Sequence, residues 1–141
     1  MTKGEMIEQL GNVPLFSGCS KKELATIASA SKELTRKSGS MLAREGETGV
    51  GFFLITDGTA NVIVGGRNRR KMGPGDFFGE ISLLDGGPRS ASVVADTDVQ
   101  MLGLTAWVFR GILEQNPSIA QKMLVDLASR LRGGSKPSPT D

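Results

Sequence analysis

Residues 78–93 read Phe78-Gly79-Glu80-Ile81-Ser82-Leu83-Leu84-Asp85-Gly86-Gly87-Pro88-Arg89-Ser90-Ala91-Ser92-Val93. One short segment carries two carboxylates, a permanent cation, several glycines and three hydroxyl residues. A glycine ahead of a helical turn lets a ligand approach the backbone, and free N–H groups at a helix start favour an anion. The apolar stretch from Glu80 to Leu84 predicts one such turn, ended by Asp85-Gly86-Gly87. Arg89 supplies a planar fork, always charged, that matches two phosphate oxygens. Glu80 repels phosphate but suits a neutral donor such as a ribose hydroxyl, because an ionised carboxylate accepts hydrogen bonds strongly. Ser82 and Ser90 add short donors, and Pro88 pre-sets the chain direction before Arg89. Read chemically, the segment is a site for a small anion that also carries a hydroxyl. The alternative is a Glu80–Arg89 ion pair on the surface of a Gly-rich hairpin.

Position by position and without a gap, this run resembles the phosphate-binding cassette of cyclic nucleotide-binding domains. That cassette reads Phe-Gly-Glu, two or three apolar residues, a short loop, then Pro-Arg, a small residue, Ala, and Ser or Thr before Val. The resemblance implies a ligand site at Phe78, Gly79, Glu80, Ile81, Ser82, Pro88, Arg89, Ser90 and Ala91. It gives Glu80 the ribose 2′-hydroxyl and Arg89 the cyclic phosphate, with backbone N–H groups of Gly79, Glu80, Ser82 and Ser90 assisting. Outside the cassette it is weaker and covers about residues 13–132. There it rests on Arg44-Glu45-Gly46-Glu47, on Phe53-Leu54-Ile55 with Asp57-Gly58, and on Gly73-Pro74-Gly75-Asp76-Phe77-Phe78. The implied fold is mainly β, an antiparallel β-roll of jelly-roll type with N-terminal helices, a short cassette helix and two C-terminal helices. In the family the last helix often covers the base. Arg130 is the candidate here, because a guanidinium stacks on a purine face; the alternative is that Arg130 and Arg132 are solvated cations at a helix C-terminus. Ser90 serves either purine, so the implied ligand is cyclic AMP with cyclic GMP as the alternative.

The chain has 141 residues, the size of one ordinary domain. The sequence predicts a single domain over 1–132 and a disordered Pro/Ser-rich tail over 133–141. Seventeen basic and 15 acidic residues leave a net charge of +2, too balanced for nucleic acid to be the main partner. Histidine is absent, which removes the commonest metal ligand and general base. That argues against a cupin-type metalloenzyme on the same barrel and against hydrolysis of the ligand, so no enzyme activity and no metal or cofactor are expected. The single cysteine, Cys19, cannot form a disulfide within the chain and fits a reducing compartment. No apolar run approaches about 18 residues, so no membrane span is expected. The start lacks the apolar core of a signal peptide, and the expected location is cytoplasmic.

Along the chain, residues 2 to about 11 predict a short amphipathic helix with Met6, Ile7 and Leu10 on one side. Ser20-Lys21-Lys22-Glu23 has the pattern of a capping box for a helix from Lys21 to about Ala30 that buries Leu24, Ile27 and Ala28. From Glu33 to Thr105 short runs alternate with turn signals, predicting six or more antiparallel strands. Phe52, Leu54, Val62 and Val64 are expected to point inward, and Asp57-Gly58 marks a tight hairpin. The basic cluster Arg67, Arg69, Arg70 and Lys71 reads as a solvated hairpin tip and strand. Thr105 is expected to cap a helix burying Trp107, Val108, Ile112 and Leu113. Asn116-Pro117 starts the last helix, with Asn116 as its cap and Pro117 at its first position, Ile119, Met123, Leu124, Leu127 and Leu131 as its apolar stripe and Gly133-Gly134 as its stop.

The expected function is a cyclic nucleotide sensor that signals through rearranged C-terminal helices to a protein effector or homodimer partner. Two alternatives stand beside it. One is an interaction scaffold with a degenerate cassette. The other is a regulatory domain cut from a channel or transcription factor.

Overall fold

Glycines at positive φ set the boundaries of most strands. The structure, a computed structural model, describes residues 1–49 and 51–133. The described residues fall into two units, a helical one of Met1–Ser31 with 107–133 and a β one of Lys32–Ala106. Among them no helix is long and apolar enough to cross a membrane.

The β unit holds eight strands: β1 (Lys32–Arg36), β2 (Met41–Ala43), β3 (Gly51–Asp57), β4 (Ala60–Val64), β5 (Arg67–Met72), β6 (Phe77–Phe78), β7 (Ser92–Ala95) and β8 (Val99–Thr105). They form two four-stranded antiparallel sheets, ordered β1-β8-β3-β6 and β2-β7-β4-β5. This is the β-roll the sequence predicts. Gly58 turns β3 into β4 at φ 85°, and a Cβ there would lie 2.2 Å from Asp98 O, so the Asp57-Gly58 hairpin admits no side chain.

The interior of the roll is a cluster that includes Ile55, Val62, Met72, Phe78, Ala91, Val93 and Met101, with Phe53 and Val64 packed against it. Val62 and Val64 therefore point inward as expected, but Phe52 and Leu54 do not. They lie on the opposite face of β3, in register with Leu104 and Leu102, and are buried there. A strand buried on both faces reads as a continuous apolar run, and such a run carries no phase.

The helical unit contains α1 (Lys3–Gly11), α2 (Lys21–Ala30), α4 (Ala106–Gln115) and α5 (Pro117–Leu131); the cassette turn α3 (Ser82–Asp85) belongs to the β unit. The predicted capping box of α2 is formed: Glu23 N–H donates to Ser20 Oγ and Ser20 N–H to Glu23 Oε1. Thr2 and Glu5 make a second one at α1 that the sequence reading missed. Leu24, Ile27 and Ala28 are buried as predicted, and Phe16 meets Phe109 edge-to-face at 5.9 Å.

Three expectations for the C-terminal helices are corrected. Trp107 is 84% exposed and Val108 41%, because α4 turns Phe109 inward in their place, together with Ile112, which is buried as expected. On α5 only Ile119 and Met123 of the predicted stripe are buried, while Leu124 and Leu131 face solvent. Asn116 stands at the N-cap of α5, with Pro117 at the first helical position, yet makes no side-chain cap; its amide donates back to Ile112 O. Gly133, at φ 85°, closes α5 by donating to Arg130 O. Gly134 and the rest of the predicted tail lie outside the described residues.

Candidate functional site

The cassette is braced by its own backbone. Gly79 enters it at φ 84°, and Leu83 N–H donates to Gly79 O at 3.0 Å. α3 runs Ser82–Asp85, starting two residues later and ending one residue later than the expected Glu80 to Leu84. Gly86 ends it in the left-handed conformation, with its N–H on Ser82 O. Gly87 N–H then donates to Asp85 Oδ1, and Ser82 Oγ donates to Gly87 O. Ser82 is thus buried and engaged within the loop, whereas Ser90 is exposed.

Arg89 sits at the centre of the site and is only 6% exposed. Its Nη2 donates to Gly51 O, and its Cζ lies 5.9 Å from the centroid of the Phe78 ring. The backbone around it is laced to the loop after β2. Arg89 N–H donates to Glu47 O, Gly46 N–H to Arg89 O and Gly49 N–H to Gly87 O, and Thr48 bridges to Pro88.

Two glycines make room for the guanidinium. A Cβ on Gly49 would lie 2.8 Å from Arg89 Nε and 2.7 Å from Ser82 Cβ. A Cβ on Gly79 would lie 2.1 Å from Arg89 Nη1 and 2.3 Å from Gly51 O. Arg89 borders a hollow of about 140 Å³ whose other walls include Ala43, Thr48, Gly49 and Phe53, with the exposed Arg44–Glu47 ion pair (3.4 Å) at its rim. A fixed cation against an open hollow is chemistry suited to an anion.

The structure separates the predicted residues by role. Gly79, Ser82 and Arg89 come together, Gly79 against the guanidinium and Ser82 across Gly49 from it. Glu80 is fully buried and Ile81 half-buried at the entry to α3. Phe78 and Ala91 belong to the core cluster and anchor the two ends of the cassette. Pro88 is exposed beside the loop it bridges. Arg130 lies on α5, its side chain 7% exposed and paired with Asp126 at 3.0 Å. The sequence reading missed Gly49 and Gly51, about 38 residues from Arg89 along the chain. Two glycines spaced by one residue just before an apolar strand were the available signal.

Cys19, the one thiol, is half-buried ahead of α2. Burial first and the Glu23 carboxylate second raise its pKa above the ordinary range, against a smaller pull from Lys122. A thiol held protonated is a poor nucleophile.

The family model described as "Cyclic nucleotide-binding domain" matches residues 33–116, more than half of the chain. The chain belongs to this family. It is 37% identical over 109 residues to a cyclic nucleotide-gated potassium channel of Mesorhizobium japonicum, across 77% of this chain and 30% of the channel. It is 33% identical to the cyclic AMP receptor protein of Thermus thermophilus, across 84% of this chain and 57% of the receptor. The chain thus spans roughly a third to somewhat over half of the length of these relatives. Among solved structures, the N-terminal domain of a transcriptional regulator from Streptomyces coelicolor A3(2) superposes with a TM-score of 0.81 at 31% identity, covering 89% of this chain and 90% of that one.

Proposed function

We propose that this cyclic nucleotide-binding domain is a sensor for cyclic AMP, with cyclic GMP as the competing ligand, and that it carries out no reaction of its own. The observation that supports this most is the glycine cradle. A Cβ on Gly49 or Gly79 would overlap the Arg89 guanidinium, so the two glycines make room for its fork beside the hollow. In this reading Arg89 takes the cyclic phosphate and Glu80 the ribose 2′-hydroxyl, the carboxylate serving as an acceptor. The hollow of about 140 Å³ is smaller than the ~300 Å³ at which clefts enclose a whole small molecule. It suits the phosphate end of the nucleotide and leaves the purine to other contacts.

Arg130 enters as the partner of the base. Because Asp126 holds its guanidinium, stacking on a purine would exchange that ion pair for the ligand. An exchange of this kind gives the ligand a differential interaction with two arrangements, which a switch requires. The output would pass through α4 and α5 to a protein effector in the cytoplasm. The names of two relatives, a cyclic nucleotide-gated channel and a cyclic AMP receptor, support a regulatory role without naming the effector here.

The deciding experiment is calorimetric titration with cyclic AMP, cyclic GMP and 5′-AMP, after the protein has been unfolded and refolded to strip any carried ligand. Saturable binding that requires the cyclic phosphate is expected, with cyclic AMP the tighter. A folded, ligand-free protein that gives no heat with any of the three would make the cassette a scaffold.

A further inference from the structure

β5 forms one edge of the sheet ordered β2-β7-β4-β5. It reads Arg67-Asn68-Arg69-Arg70-Lys71-Met72, and only Met72 is buried. All but one of its exposed residues are cations. At the far end of this run the cations already hold carboxylates of the same chain. Lys71 Nζ lies 3.0 Å from Asp96 Oδ2, and Arg70 Nη2 lies 3.5 Å from Asp76 Oδ1. Toward the hairpin tip the pattern stops, and neither Arg67 nor Arg69 makes an ion pair among the described residues. Arg69 also has no partner on β4, because a register shift between Val62 and Ile63 makes it the extra residue of a bulge. The tip itself is fixed, with Gly65 N–H donating to Glu45 Oε1 at 3.0 Å. A charge or a bulge is a common guard on a sheet edge. β1, an edge of the other sheet, is guarded by mixed charge, with Glu33 between Lys32 and Arg36. A row of one sign is different: its charges repel one another, and carboxylates laid along it offset the repulsion.

We propose that β5 is a docking edge for an extended acidic segment of another protein. The segment adds to the sheet as a further strand beside β5 and lays its carboxylates against Arg67 and Arg69. Two observations select this occupant. The outer backbone of an edge strand pairs with an extended chain. The cations select acidic side chains, which at alternate positions share one face of a strand. A second copy of this chain is excluded at this edge, because β5 against β5 sets cation against cation. Nucleic acid meets the charge but makes no use of the edge. The fixed hairpin tip lowers the cost of ordering this edge when the segment binds. This inference does not rest on the nucleotide-binding reading.

The test uses the full chain without nucleotide and a short fluorescent peptide of alternating Glu and Thr. Three probes serve as comparisons: the matching Lys/Thr peptide, the Glu/Thr peptide N-methylated at alternate backbone amides, and single-stranded oligothymidine. Fluorescence anisotropy should show saturable binding of the Glu/Thr peptide, tighter than that of any comparison probe and weakening as salt rises. Bound peptide should also slow amide exchange along β5. Arg67→Glu combined with Arg69→Glu should weaken binding about tenfold or more. Both positions are exposed, so the thermal midpoint of this variant should not fall. No binding at millimolar peptide overturns the proposal. So does equal binding of the N-methylated peptide, which would mean attraction by charge without strand pairing. An affinity indifferent to the double reversal, or oligothymidine binding as tightly as the acidic peptide, overturns it as well.

Discussion

The guanidinium of Arg89 occupies the space in which a side chain on Gly79 would begin, since an ideal Cβ there lies 2.1 Å from Nη1. Gly79 also sits at φ 84°, where L side chains are strained. Gly79→Ala should therefore lower stability by about 1–3 kcal/mol from the backbone alone and also displace the Arg89 fork. Gly49→Ala meets Nε at 2.8 Å and Cζ at 2.9 Å and tests the steric part. For both variants thermal melts and titration with cyclic AMP should show weaker binding than the parent. Parent-like affinity in both would remove the cradle from the site.

Arg89→Ala should cost roughly 2–5 kcal/mol of binding, the range for truncating one partner of a buried charge pair. Arg89→Lys keeps the charge but loses the planar fork that donates to Gly51 O, so it should bind weakly as well. Glu80→Gln keeps the shape of a fully buried residue but removes its charge and replaces one acceptor oxygen with an N–H donor, so it should bind cyclic AMP more weakly than the parent. Saturating cyclic AMP should raise the melting temperature of the parent and leave that of Arg89→Ala unmoved. An equal rise in the two would place the ligand elsewhere.

Glu23 gives the helical unit a pH dependence. Lys122 first, then Ser118 and the Ser20 backbone, lower its pKa from 4.5 to about 2. A carboxylate with a depressed folded pKa stabilises above its unfolded value, and that contribution is lost as pH falls through the folded one. The contribution is thus complete above about pH 4.5 and disappears on the way to about pH 2. Urea melts across this window should fall steeply for the parent and less steeply for Glu23→Gln and Lys122→Met. Asp96, lowered first by Lys71, works in the same direction, so variant must be compared with parent. Identical slopes would mean that the Glu23–Lys122 contact does not hold in solution.

Gly58 and Gly66 both have positive φ, 85° and 77°, but only Gly58 is crowded. Gly66→Ala should cost about 1–2 kcal/mol for the left-handed backbone alone. Gly58→Ala adds an overlap with Asp98 O at 2.2 Å and should cost clearly more. Chemical denaturation of the two variants side by side checks the order. Equal losses would show that the β3–β4 turn moves away from Asp98 without penalty.

What the sequence by itself determined was mostly local in its physics, although the equally local Thr2–Glu5 capping box was missed. The cassette run from Phe78 to Val93, the Ser20–Glu23 capping box and the Asp57-Gly58 turn were legible because each rests on residues a few positions apart. The tertiary structure decided what depends on distant partners. It set the phase of β3, putting Phe53 and Ile55 in the roll and Phe52 and Leu54 on the other face, because a run apolar at every position fits either phase. It brought Gly49 and Gly51 to Arg89, since only the fold returns the start of β3 to the cassette. It left Trp107 and Leu131 exposed, because periodicity marks an apolar side chain but not whether anything covers it.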